Sequence, residues 1–288
     1  MNSNFYKKFL ELNLAILCIS TAGALVRYIE LSPIILMFWR GVIAAIVVGT
    51  VAYFQKASFK ISSKKDKLRL FFSSFLFATH WLTYFYALQV SSVAIGMLSL
   101  FTFPAITAIL EPFYFKTKFN KRHIILALLV LFGLFIMSPE IDFSSNSTKG
   151  ILSGVLSAFL YALRNLTMKS NIKKYDSSIL MFYQFLFLII VSAPFLRFLD
   201  NSQTINFIPF LIVLGVFTTA IGHTLFVKSF KNFPVSTASI ISTSQPVYGI
   251  LFGLIFLNEI PNLNIIIGGC IIISTVVIES LSIRAKKG

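Results

Sequence analysis

The fold class predicted by this sequence is an all-α polytopic membrane protein: ten transmembrane helices in two inverted five-helix repeats, with the N and C termini cytoplasmic. Three observations lead there. First, 57% of the 288 residues are hydrophobic and only 12% are charged, with a mean hydropathy of +0.84. A soluble domain carries about 25% charged residues and needs a polar coat over its outside. Second, ten apolar runs follow one another, each near the ~20 residues that cross ~30 Å of hydrocarbon as a helix. Their uniform apolarity excludes the short alternating segments of a membrane β-barrel. Third, 25 Lys and Arg stand against 10 Asp and Glu. With the N-terminus inside, 20 of the 25 fall in inner segments, three (Arg27, Lys149, Arg197) in outer ones and two (Arg40, Arg164) within spans. That split follows the positive-inside rule, and one helix more or fewer would reverse every later loop. The +15 net charge is thus read as an orientation signal and not as a nucleic-acid footprint.

The first span, 9–29, follows Lys7 and Lys8; Ala22-Gly23-Ala24 resembles a signal-peptidase site, but the repeat requires this run to stay as a helix. The second, 33–54, carries Arg40. The third, 68–88, follows a lysine-rich inner loop and holds His80, Trp81, Tyr84 and Tyr86. The fourth, 92–115, contains Pro104 and, near its inner end, Glu111-Pro112. The fifth, 122–138, begins beside His123, read as an interfacial residue of the inner loop. The sixth, 149–170, carries Tyr161, Arg164 and Asn165, and the seventh is 178–198. The eighth, 207–228, holds His223. The ninth, 234–257, contains the polar run Ser242 to Tyr248 around Pro246, and the tenth is 263–282. Cys18 and Cys270 lie in apolar runs without a C-x-x-C or neighbouring His, so two free, buried thiols are expected.

Ten helices divide as five and five. Ile35-Leu36-Met37-Phe38-Trp39-Arg40 reappears as Ile179-Leu180-Met181-Phe182-Tyr183-Gln184, 144 residues on, and Pro104 matches Pro246 at 142. An odd helix number per half gives the halves, 1–143 and 144–288, opposite orientation, an architecture recurrent in secondary transporters.

On these residues the chain resembles the drug/metabolite transporter superfamily, of the EamA type, over about 9–282. Phe38-Trp39-Arg40, Tyr86-Ala87-Leu88, Ser91 to Gly96 and Pro104 carry the resemblance in the first repeat. Ser236 to Ser239, Pro246 and Leu257-Asn258-Glu259 carry it in the second. The resemblance implies a bacterial cytoplasmic (inner) membrane protein that exports metabolites. Two departures, Thr117 opposite Glu259 and Gln184 opposite Arg40, point to an asymmetric cavity.

Charged side chains in hydrocarbon cost about 2.5–3.5 kcal/mol on insertion scales, so each needs a partner or a wet cavity. Arg40 either draws an anionic group of the substrate from the outer half, or snorkels or caps carbonyl oxygens of a neighbouring helix. Glu111 and Arg164 sit at matched depth, which makes an ion pair between them geometrically available; Glu111 is the proton-coupling candidate, or else both are structural. His80 and His223 are either neutral structural residues or relays and substrate donors. Trp81, Tyr84, Tyr161, Asn165, Ser244, Gln245 and Tyr248 complete the expected substrate-binding set, with Pro104 and Pro246 as helix breaks. No histidine spacing suits a metal, and no cofactor or P-loop is expected. Partners would be a small-molecule substrate, the lipid bilayer and protons, without nucleic acid, on a monomer or weak homodimer. The leading function is a secondary carrier exporting an amino acid or related metabolite by alternating access. The alternatives are a carrier of phosphorylated or nucleotide-linked anions and, from another class, an intramembrane group-transfer enzyme.

Overall fold

A computed structural model of the protein describes residues 3–137, 146–200, 202–258 and 260–285, and among these every regular element is helical. In chain order the helices are α1 (Ser3–Tyr28), α2 (Pro33–Phe54), α3 (Lys64–Val90), α4 (Val93–Leu100), α5 (Phe103–Phe115), α6 (Lys121–Met137) and α7 (Asn146–Ile172). Then follow α8 (Ser177–Ser192), α9 (Ile208–Val213), α10 (Thr224–Ser229), α11 (Val235–Ile241), α12 (Gln245–Leu257) and α13 (Leu263–Ala285). Helical stretches long and apolar enough to cross a membrane on their own are Pro33–Phe54, Asn146–Ile172, Ser177–Phe198 and Ser202–Ser229.

The expected fourth and ninth spans are each broken in two, so neither yields one long helix. Pro104 lies in the first turn of α5, where its missing N–H is harmless, and α4 ends at Leu100 just before it. Pro246 holds the same place in α12, after a 3₁₀ turn over Ser242–Ser244. The expected eighth span runs from a 3₁₀ turn (Ser202–Phe207) through α9 and a ten-residue π-helical stretch (Leu214–His223) into α10.

The repeat is visible in the backbone itself. Helices α5 and α12 start and end 142 residues apart, and α4 with α11 and α6 with α13 start at the same offset. Two of the three described non-glycine residues with positive φ, Lys116 (53°) and Asn258 (54°), also lie 142 apart, directly after α5 and α12. Upstream the offset is 144: α2 and α8 start at it, and α1 and α7 end at it. Packing obeys the same exchange. Helix α2 lies on α8 and α6 on α13, while α3 on α7 is answered by α1 on the π-helical stretch and α10. A large hydrophobic core runs through both halves, beside a small separate cluster of Ala105, Ala108 and Ala127.

Close helix approach rests on small residues. A Cβ added to Gly150 of α7 would lie 2.5 Å from Ser91 Oγ, and one on Gly154 would strike Ser99 of α4, so this wall tolerates no side chain. Cys18 is half-buried and Cys270 exposed, both free, which corrects the expectation of two buried thiols: Cys270 lies on the outward face of α13.

Candidate functional site

Where α2, α3, α7 and the π-helical stretch meet, polar side chains are buried among aromatic rings. Arg40, 1% exposed, donates from Nε to Thr219 Oγ1 at 3.1 Å. Its guanidinium lies over the rings of Trp81 (4.4 Å) and Phe85 (5.1 Å), a cation–π arrangement that favours a desolvated cation. Thr219 in turn donates to Leu214 O, five residues back, at 2.7 Å. The wide π turn makes that bond and turns Thr219 towards Arg40, and such turns recur at functional sites.

Arg164 is fully buried on α7. It donates to Gln184 Oε1, to Asn165 Oδ1 at 2.9 Å and to Met181 Sδ at 3.0 Å, and stacks over Phe77 at 4.3 Å. The expected pairing with Glu111 does not form. Gln184, the counterpart of Arg40 in the repeat, occupies that role, and its own amide donates to Ser73 Oγ at 3.0 Å.

His80 stacks on Tyr161 with ring centroids 4.4 Å apart. Ser157 Oγ donates to the His80 carbonyl at 2.9 Å, so the 2.6 Å contact between His80 Nδ1 and Ser157 Oγ has the ring as donor. Trp81 and His223, equivalent positions of the repeat, touch each other at 5.8 Å between ring centres. Arg40, His80, Trp81, Tyr84, Tyr161, His223 and Gln245 line one small cavity together with Phe85, Met97, Phe101 and Phe103. Its volume of about 30 Å³ holds a water or two and no organic solute.

Other expected site residues lie elsewhere. Arg164 and Asn165 stand behind the cavity wall, and Ser244 and Tyr248 do not line it; Ser244 Oγ donates to Ile241 O at 3.1 Å within the 3₁₀ turn. Glu111 is at the lysine-rich end of the bundle, accepting from Val235 N and Ser236 N at 2.9 Å each. It closes the start of α11, consistent with the preference of a carboxylate for a helix N-terminus. His123 is buried, not a loop residue at an interface: Ser236 Oγ lies 2.9 Å from Nδ1 and Glu279 Oε1 lies 3.3 Å from Nε2. Arg122 completes the cluster at 3.0 Å from Glu279. Glu111, His123 and Ser236 border a pocket of about 590 Å³, which Lys118, Lys169, Lys173 and Lys231 also line.

Sequence reasoning missed Thr219, the π turn and Glu279. The paired Thr218-Thr219 between Gly215 and Gly222 was a polar signal inside an apolar span, and Glu279 was an intramembrane carboxylate in plain view. Glu259 lies outside the described residues.

Several known proteins resemble this chain. It is 26% identical over 197 residues to an uncharacterized transporter of Archaeoglobus fulgidus, covering 68% of this chain and 69% of that protein. An uncharacterized transporter of Helicobacter pylori (strain J99) is 23% identical, with 84% and 83% covered. Mouse solute carrier family 35 member G1 is 22% identical, with 82% and 68% covered. A solved crystal structure superposes with a TM-score of 0.79 at 17% identity, over 98% of this chain and 99% of that one, which shows a shared fold. The model of the EamA-like transporter family matches twice, over residues 10–138 and 148–281. The chain belongs to the EamA-like transporter family, within the drug/metabolite transporter superfamily, and is a multi-pass membrane transporter and not an enzyme.

Proposed function

We propose that this transporter is a secondary carrier of the bacterial cytoplasmic membrane, exporting a small organic solute, an amino acid or related metabolite, by alternating access. Ten spans form two inverted halves, 1–143 and 144–288, with both termini cytoplasmic. The observation that carries the reading is the small, largely aromatic cavity between the halves, with Arg40, His80, Trp81 and Tyr84 from one and Tyr161, His223 and Gln245 from the other. Residues of both halves wall it, so a rocking of one half against the other opens it to either side in turn. Arg164, Asn165, Ser244 and Tyr248 act from the surrounding shell, and the breaks at Pro104 and Pro246 let α5 and α12 tilt separately from α4 and α11.

A phosphorylated or nucleotide-linked cargo calls for several free cations on one cavity. The donors of Arg164 engage Gln184 and Asn165, which leaves Arg40 and weighs against that cargo. The energy source is the solute gradient or a coupled proton, with Glu111 as the carboxylate of the inner end.

A thermal-shift screen of purified protein against amino acids and metabolites, followed by proteoliposome flux of the hits at two pH values, tests the reading. Saturable flux that follows binding is expected; binding without flux sinks the carrier assignment. Glu111→Gln is expected to flatten the pH dependence of flux, and an unchanged pH profile removes Glu111 from coupling.

A further inference from the structure

Resting on the carrier reading, the charge balance of the cavity identifies the group by which the solute is held. Arg40 and Arg164 are 1% and 0% exposed, and among the described residues no carboxylate lies within ion-pair distance of either. A guanidinium stays charged in proteins, and burying one without a counter-charge is among the most costly arrangements a fold carries. The two arginines solve this differently. Around Arg164, Gln184 Oε1, Asn165 Oδ1 and Met181 Sδ meet the fork, so its donors are already engaged. Arg40 has one edge committed, Nε to Thr219, while Nη1 is buried with no hydrogen-bond partner. His223 Nδ1 is a second buried atom without a partner on the same cavity.

The remaining wall adds a second constraint. Besides Arg40 and His223, the cavity is lined by the polar side chains of His80 and Gln245, by aromatic rings such as Trp81, Tyr84 and Tyr161, and by aliphatic side chains, with no Asp or Glu among the described residues. A solute of net positive charge entering here meets Arg40, with Arg164 behind the wall, and no carboxylate among the described lining residues. We propose that the cavity binds its solute through a single carboxylate docked on the free edge of Arg40, with an apolar or aromatic remainder against the rings. The solute then supplies a counter-charge that none of the described residues offers to Arg40. Arg164, held behind the wall, adds field without adding a second docking fork, which limits recognition to one anionic group. Because the closed space is too small for the solute, docking takes place when the halves part, and closure of the aromatic wall over the neutralised pair follows.

Matched probes decide this without knowledge of the natural solute. Phenylacetate, phenylacetamide and phenethylamine share a ring and differ in charge, and chloride is an anion without the ring. Thermal shift of the intact protein in detergent and quenching of Trp81 fluorescence in a Trp39→Phe background read binding. Phenylacetate at millimolar concentration is expected to raise the melting temperature and quench Trp81, while the amide, the amine and chloride do neither. Arg40→Gln is expected to weaken phenylacetate binding about thirtyfold or more, and Arg40→Lys, which keeps the charge but not the fork, to retain part of it. The unliganded melting temperature of each variant reports folding, and the wild-type probe series decides alone if a variant fails to fold. Equal shifts from the amide or amine, a chloride shift that matches phenylacetate, no shift from phenylacetate, or full binding by Arg40→Gln would each overturn the proposal. Phenylacetate binding without flux leaves the docking site standing and sinks the carrier reading.

Discussion

Arg164 and Asp66 show how a buried charge is accommodated at two depths. Within the bundle Arg164 is held by neutral acceptors, chief among them Gln184. Gln184→Leu removes that acceptor and strands a cation, so a loss of about 1.5–3 kcal/mol is expected in denaturant or thermal unfolding. A variant as stable as the parent would show that Gln184 is not the partner that matters. Asp66, in the first turn of α3 and ahead of its apolar stretch, is 1% exposed. The Lys174 ammonium, 2.9 Å from Oδ2, holds its carboxyl below the usual carboxylate range, with help from Tyr175 Oη at 3.1 Å and against the opposing effect of burial. A depressed folded value means stability that is present above the unfolded value, about 3.9, and lost as pH falls through the folded one. The melting temperatures of the parent and Asp66→Asn are expected to differ at neutral pH and converge below about pH 4. Parallel curves would sink the assignment.

Helices in this chain owe their placement to what they lack as much as to what they present. Gly154 on α7 lets Ser99 of α4 approach so closely that a Cβ has no room. Gly154→Leu is expected to cost about 1–3 kcal/mol or more from overpacking, seen as a lower melting temperature, whereas an unchanged one would mean the two helices sit farther apart. The π-helical stretch has no counterpart in α3, its partner by the repeat, so the two halves differ in the helix that presents Thr219 to Arg40. The breaks before Pro104 and Pro246 were legible because proline removes a donor wherever it stands. The π turn was not legible, since no residue type enforces the extra residue per turn.

Taken whole, the molecule pairs two halves whose helix boundaries are offset by 144 residues upstream and 142 downstream, and the proposed inversion makes a topological prediction. In a background with Cys18 and Cys270 replaced by alanine, Asp200→Cys is expected to react with an impermeant maleimide added outside intact cells. Lys231→Cys is expected to react only after permeabilisation; the reverse pattern would overturn the orientation. The lysine-rich pocket beside Glu111 would then face the cytoplasm, where its basic rim attracts the carboxylate-bearing solute proposed above.

Membrane residence, the expected orientation and the register of the repeat were all available in one dimension. They depend on run length, on the distribution of lysine and arginine, and on landmarks such as Pro104 and Pro246. Depth along a helix is likewise a matter of counting, which is why Arg40, His80, Trp81, Tyr161 and His223, which line one cavity, stand out in the sequence as polar or aromatic side chains within apolar runs. Which polar groups meet was decided only by tertiary structure, because partner choice depends on the rotation of each helix about its axis and on side-chain reach. Matched depth suggested Glu111 for Arg164, yet rotation turns Arg164 to Gln184 and Glu111 to the start of α11. The same three-dimensional selection left one edge of Arg40 unanswered.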